Sequence, residues 1–261
     1  MSGGMSGGMS GKSNELLLVA AIARLIADPT AHPARHVAVG AASPIPAAAC
    51  WLAKLQGADI RLSLLHRPHG NPFSEGTREL FDLAGQGRID LFFLGGGQID
   101  GQANINLIGT GEWPGTQVRF PGSFGSAFMY FTVHRTILFR EEHSPRVLVA
   151  RVDHISAPGI SPPGVFRRGN AQALVTGRCV FRFDPARGRF ALASLHPGET
   201  RESVRAATGF DYDEPAEIAA TAGPTEAQAA ILAGPVRDAM IETYPDFCRR
   251  VWPRGSEEQA A

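Results

Sequence analysis

The 261-residue sequence has no excess of charge of either sign: 25 Lys and Arg stand against 25 Asp and Glu. A balanced chain offers no field to hold a polyphosphate backbone, which argues against nucleic acid as a partner. Cysteine is scarce as well. Cys50, Cys179 and Cys248 are odd in number, far apart and free of any CxxC pair. That excludes a disulfide framework and a cysteine-rich zinc site, and it fits a reducing, cytoplasmic setting. Long apolar runs are missing too. Leu16 to Ile26 is interrupted by Arg24 and falls short of the roughly 20 residues a membrane span needs. No cleavable leader is read ahead of it, and no membrane partner is expected. What remains, at 44% hydrophobic residues, is a globular chain long enough to bury its own core.

Residues 1–12 begin with a Gly/Ser repeat, MSGGMSGGMSG, that has nothing to bury and is set aside from the fold. Residues 13–245 are read as one domain and 246–261 as a C-terminal tail. A helix is expected from Ser13 to Ile26, where Leu16, Val19, Ala20, Ala23 and Ile26 share a face. Strands are expected at Val37–Val39, Ile60–Leu65 and Asp90–Leu94, with helices at Ile45–Leu55 and Glu79–Ala84. The apolar stretches Ala127–Val133, Arg135–Phe139 and Val147–Val152 read as further strands. Gly177-Arg178 separates two β-rich runs, a hairpin signal, and Phe190–Ser194 supplies a third strand. Helices follow at Glu199–Thr208, with Thr200 as its cap, and at Thr225–Glu242, interrupted by Gly234-Pro235. Strands alternating with helices predict an α/β fold with a late antiparallel meander.

The sharpest chemical feature is Gly95-Gly96-Gly97-Gln98-Ile99-Asp100, directly after an apolar strand. Three glycines there make either a tight turn or a cradle of backbone N–H groups for an anion or an oxyanion. The run matches neither a Walker loop nor GxGxxG. In Arg119-Phe120-Pro121-Gly122-Ser123-Phe124-Gly125, Pro121 stands where a GxSxG nucleophile elbow requires glycine, so a loop of backbone donors is the better reading than a serine nucleophile. His66 and His69 have HxxH spacing with no third ligand placed, and Pro33 breaks up His32 and His36; no metal site is assigned. His134 reads as a strand-end histidine. Glu141-Glu142 beside Arg140 reads as a solvated turn, and Arg167-Arg168 as a surface basic pair or a phosphate clamp.

Taken together, these segments resemble the β-type subunit of the class I CoA-transferase family. Gly95–Asp100 is similar to the family's GGAQVD loop and Asn104-Ile105-Asn106 to the GNxN stretch after it. Arg119–Gly125 resembles its RxxGSGG loop and Asp153–Gly159 its DxVTSPG segment. Leu195–Gly198 and Ala207–Asp211 resemble the HPG and TGFD elements. The likeness runs from Leu16 to Glu242. It implies an open, mostly parallel sheet flanked by helices and an α-type partner subunit, in a heterodimer or an α2β2 assembly. It also implies an acyl-CoA substrate, with coenzyme A part of the substrate rather than a bound cofactor.

In the family, a glutamate at the end of the strand near residue 63 becomes first an anhydride and then a glutamyl-CoA thioester. Ser63 or Leu64 falls at that position, so double displacement has no carboxylate there. One branch of the family lacks this glutamate and opens a steroid ring by adding water, with the catalytic acid on the α-type subunit. The resemblance therefore implies a catabolic acyl-CoA enzyme, with CoA-transferase or acyl-CoA hydrolase activity, the missing glutamate pointing to hydrolysis or ring opening of a CoA thioester; the alternative is a scaffold or regulatory subunit without chemistry. The implied binding residues are Gly95, Gly96, Gly97 and Gln98 from the first loop, and Gly122, Ser123, Phe124 and Gly125 from the second. Amides of Gly96, Gly97, Phe124 and Gly125 would hold the thioester oxygen or CoA, while Gln98 and Ser123 position substrate. A bulky residue at Gly96 is expected to stop turnover and leave folding intact.

Overall fold

The computed structural model describes residues 11–65, 67–69 and 71–254. The Gly/Ser repeat up to residue 10, His66 of the HxxH pair and residues 255–261 lie outside the described residues. Helix α1 (Gly11–Ile26) is apolar nearly all round, as its position between the sheet and other helices requires. Strands β1 (His36–Val39), β2 (Arg61–Leu64) and β3 (Leu91–Leu94) alternate with helices α2 (Pro44–Leu55) and α3 (Thr77–Gly85). β1 and β3 are buried at every residue, the mark of parallel strands covered on both faces. Four two-residue strands follow: β4 (Gln98–Ile99), β5 (Ile105–Asn106), β6 (Gly109–Thr110) and β7 (Val118–Arg119). Then come α4 (Ser126–Thr132), β8 (Arg135–Arg140), β9 (Asn170–Thr176), β10 (Cys179–Asp184), β11 (Arg189–Leu195), α5 (Arg201–Ala207) and β12 (Ala219–Ala220).

The main sheet has eight strands among the described residues, in the order β12-β11-β10-β9-β8-β3-β1-β2. Pairing is parallel from β2 through β9 and antiparallel on both sides of β10, with β12 parallel to β11. The expected open, mostly parallel sheet with a late meander is therefore observed. One core lies between the sheet and α1, α2 and the C-terminal helices. A second lies under α3, α4 and the loops that follow β3. No helix among the described residues is long and apolar enough to cross a membrane.

Three sequence expectations are corrected. Ala127–Val133 is not a strand but most of α4, with Met129, Tyr130 and Val133 buried; an apolar run this short carries no decisive period, and packing selects the helix. Val147–Val152 forms a single bridge, Ile99 to Leu148. Its backbone is spent on a turn, Val147 and Leu148 both donating to the Ser144 carbonyl. The expected Gly234-Pro235 interruption takes the form of a wider turn rather than a break. α6 (Glu226–Ile231) runs through a π turn, Leu232–Val236, into α7 (Arg237–Met240), and a wider turn accommodates a proline that has no N–H to give. Helix α8 (Pro245–Val251) falls in the segment read as a tail, yet Phe247, Cys248, Val251 and Trp252 are buried against α1 and α2.

Candidate active site

β1 connects to β2 on one side, and β2 returns across it to β3 on the other. In open α/β sheets such a reversal leaves a crevice outside the C-terminal strand ends. A cleft of about 960 Å³ lies there, walled by Ser43 to Pro46 after β1, by Leu94 and Gly95 after β3, and by Arg140 to His143 where β8 ends. Arg178 from the β9–β10 turn, Glu199, and Glu15 and Arg250 from the two terminal helices complete it. Its charges are mostly paired. Arg250 contacts Glu15 at 2.7 Å, Arg178 contacts Glu199 at 3.2 Å and Arg140 contacts Glu142 at 3.4 Å. The Ser144 hydroxyl, then Arg146 and Arg140, hold the Glu142 carboxyl below the usual carboxylate range. Glu141 is exposed on the cleft wall, and its carboxylate makes no hydrogen bond or ion pair with the described residues. Three guanidinium groups around one cleft can exchange their carboxylate partners for an anionic ligand.

Under the cleft lies a neutral network. His143 Nε2 sits 2.8 Å from Thr208 Oγ1, whose own proton goes to the Val204 carbonyl. Nδ1 lies 2.7 Å from Thr176 Oγ1, which also contacts the Cys179 carbonyl, so each ring nitrogen has a hydroxyl partner. Burial, with Arg178 nearby, pushes the imidazole down to about 4. Cys179 Sγ lies 3.8 Å from the same Nδ1, but burial pushes its thiol up to about 12. The pair is thiol and neutral imidazole, not thiolate and imidazolium, so it supplies no nucleophile at neutral pH. The histidine carries a stability consequence instead. Its folded pKa lies below the ordinary 6.5, so its contribution is full above pH 6.5 and is lost as pH falls towards 4, on the order of 3 kcal/mol. Urea unfolding at pH 7 and pH 4.5 should show that loss, and His143→Gln should flatten it; an equal slope in both proteins would refute the assignment.

The two glycine loops meet on one strip of chain, residues 105–109. Gly97 N–H donates to the Asn106 carbonyl, Gly122 N–H to Leu107 and Phe120 N–H to Ile108. Asn106 is fully buried. Its Nδ2 donates to Gln98 Oε1 and to the Gly109 carbonyl, both at 2.7 Å, and its Oδ1 accepts from Ile108 and Gly109 N–H. Gln98 Oε1 also takes the Asp153 N–H. Buried Asp100 accepts from the N–H groups of Gln102, Asn104 and Val152, and Asn104 Oδ1 accepts from Gly159 N–H. The motifs near residues 98, 106, 153 and 159 are thus a single hydrogen-bonded hub.

The coenzyme A transferase family matches residues 66–207, more than half of the sequence. The chain belongs to that family. It is 31% identical over 163 residues to a subunit of the 3-oxoadipate CoA-transferase of Pseudomonas knackmussii, covering 60% of this chain and 62% of that one. Over 159 residues it is 28% identical to the cholesterol ring-cleaving hydrolase IpdB subunit of Rhodococcus jostii, covering 59% and 62%. The matches therefore span 62% of the length of either relative. The fold superimposes on the crystal structure of Rhodococcus jostii IpdAB with a TM-score of 0.73 at 22% identity, over 93% of this chain and 98% of that chain.

In this CoA-transferase-family chain the predicted site residues separate into three groups. Gly95 lines the cleft. Gly96, Gly97 and Gln98 lie behind it, in the hub. A Cβ on Gly96 would stand 2.5 Å from Ile105 Cγ2 and 2.9 Å from the Gln98 carbonyl, and one on Gly97 would stand 2.2 Å from the Phe120 ring. Replacing Gly96 with a bulky residue therefore strains the fold itself, contrary to the sequence expectation. Gly122, Ser123, Phe124 and Gly125 form a separate surface loop, not among the cleft residues. Phe124 is 83% exposed and held at a φ of 43°, a strained conformation for a non-glycine residue.

Ser63 and Leu64 do not face the cleft either. His36 Nδ1 donates to the Arg88 carbonyl, so its Nε2 accepts from Ser63 Oγ at 2.9 Å, and Leu64 is buried in the core against α1 and α2. Arg140 and Glu141, read from sequence as a solvated turn, and Arg178, read only as part of a hairpin, line the cleft together with Glu15 and Arg250, which no sequence motif marks. They come from widely separated elements, and the one usable sign is that Glu141 follows the end of a strand and Arg178 sits in a hairpin turn.

Proposed function

We propose that this chain is the β-type subunit of a hetero-oligomeric enzyme that acts on acyl-CoA thioesters by adding water, in hydrolysis or ring opening, rather than by transferring CoA to a second acid. The supporting observation is the end of β2. Ser63 is buried and bonded to His36, and Leu64 is in the core, so neither offers an attacking carboxylate to form an anhydride. Similarity to the cholesterol ring-cleaving hydrolase IpdB subunit supports the same choice. An α-type partner would contribute the acid. The exposed apolar side chains of Trp113, Val118, Phe124 and Phe128 support a protein partner. Arg140, Arg178 and Arg250 would hold the anionic parts of the CoA thioester, Gly95 would line its path, and the amides of Phe124 and Gly125 would meet the partner-bound substrate.

The test uses the chain purified with its α-type partner and a panel of acyl-CoAs, with and without a carboxylate acceptor. Mass spectrometry should show water addition or free CoA independent of acceptor, and no CoA adduct on this chain. An acceptor-dependent new CoA ester would overturn the proposal.

A further inference from the structure

The end of the sheet opposite the cleft gathers three side chains that the proposed reaction does not use. Leu91 of β3 is in register with Arg135 of β8 and with Val37 of β1. Asp90 and His134, each one residue earlier, therefore stand side by side where β3 and β8 begin, and His32 reaches in from the loop ahead of β1. His32 Nε2 lies 3.0 Å from Asp90 Oδ1, and His134 Nδ1 lies 3.5 Å from the same oxygen. The two imidazoles are stacked face to face, centroids 3.9 Å apart and planes within 9°, and each has one ring nitrogen near the same carboxylate oxygen. Asp90 Oδ2 accepts the His36 N–H at 2.8 Å, which fixes the carboxylate with Oδ1 facing the rings.

We propose that His32, Asp90 and His134 form a binding site for one divalent transition-metal cation of the zinc class. The three ligand atoms lie within 4.8 Å of one another. With bonds of about 2.0–2.1 Å, tetrahedral ligands stand about 3.3 Å apart, and the two measured separations fall on either side of that value. His134 Nδ1 is buried and has no hydrogen-bond partner. With Asp90 Oδ1 only 3.5 Å away, that nitrogen is placed to share one cation with the carboxylate. The donor set of two imidazoles and one carboxylate suits zinc, cobalt or nickel rather than calcium or magnesium. His32, with its side chain 44% exposed, leaves an open approach from solvent and a fourth position for water. Arg135, next in the chain, donates to the Ile26 carbonyl and lies within electrostatic reach of Asp90, a cationic side chain with which a bound metal would have to share that carboxylate. A cation there would tie the approach to β1 to the starts of β3 and β8.

The test takes the full chain as purified, stripped with a chelator. Zinc is titrated by calorimetry and cobalt(II) by its visible absorption. One equivalent should bind, the thermal midpoint should rise with zinc, and His32→Ala should weaken binding at least about 100-fold. His32 lies in a surface loop, so the metal-free His32→Ala protein should melt where the metal-free wild type does. His134→Gln is the second variant. Absence of a stoichiometric site, or unchanged affinity in the His32→Ala protein, would overturn the assignment.

Discussion

Asn106→Leu should destabilise the chain by roughly 3–5 kcal/mol and abolish turnover of any acyl-CoA substrate. Leucine keeps asparagine's branched shape but is larger, so at this fully buried site the loss combines hydrogen bonding with overpacking. Four bonds go: Nδ2 to Gln98 Oε1 and to the Gly109 carbonyl, and Oδ1 from Ile108 and Gly109 N–H. A typical bond contributes about 1 kcal/mol net, and a buried group left without a partner costs about 1–3 kcal/mol. Gln98 Oε1 keeps the Asp153 N–H, so the penalty falls on the Gly109 carbonyl and the two amides. For a chain of this size the thermal midpoint should drop on the order of 10 °C. Turnover follows because the Asn106 carbonyl receives the Gly97 amide, through which the strip holds the loop that enters the cleft. A midpoint within about 2 °C of wild type would refute the hub.

Ser63→Glu should fail to create CoA transfer and should cost more than about 3 kcal/mol. A carboxylate introduced at Ser63, one of the two positions read against the family's nucleophile, would enter a site with no solvent exposure, displacing the hydroxyl that satisfies His36. Overpacking and an unsolvated charge each cost several kcal/mol. The carboxylate would also start from the interior of the sheet rather than from the cleft wall. Urea unfolding measures the cost, and mass spectrometry with an added carboxylate acceptor measures the chemistry. Acceptor-dependent transfer by this variant would show that the end of β2 does reach the substrate.

Much of the fold is legible in the sequence because its signals are local. Apolar runs such as Leu91–Leu94 announce strands covered on both faces, and Gly177-Arg178 marks its hairpin. Thr200 caps α5, with a reciprocal bond from Ser203. Where local signals are weak, tertiary packing decides. Ala127–Thr132 is helical because Met129 and Tyr130 have a core to fill, and Val147–Val152 loses strand pairing to a turn. The glycine loops are visible as motifs, but their division of labour is not. Spacing cannot distinguish Gly95, which faces a cleft, from Gly96, which faces Ile105. The charged cleft residues and the His32, Asp90 and His134 cluster are assembled across the sheet, from segments up to 235 residues apart in the case of Glu15 and Arg250, and no local pattern encodes such a meeting.

The sheet's two margins bear on how the chain associates. One is β2, four residues long with Arg61 exposed, and the other is β12, only two residues. Short margins present few unpaired amides and carbonyls for a foreign strand to recruit, a device that suppresses edge-to-edge aggregation. Both margins of the described sheet are therefore poor templates for strand addition. Any stable companion of this chain has to grip side chains and loops instead, so complex formation should be sensitive to surface substitutions and indifferent to peptides that mimic a β-strand.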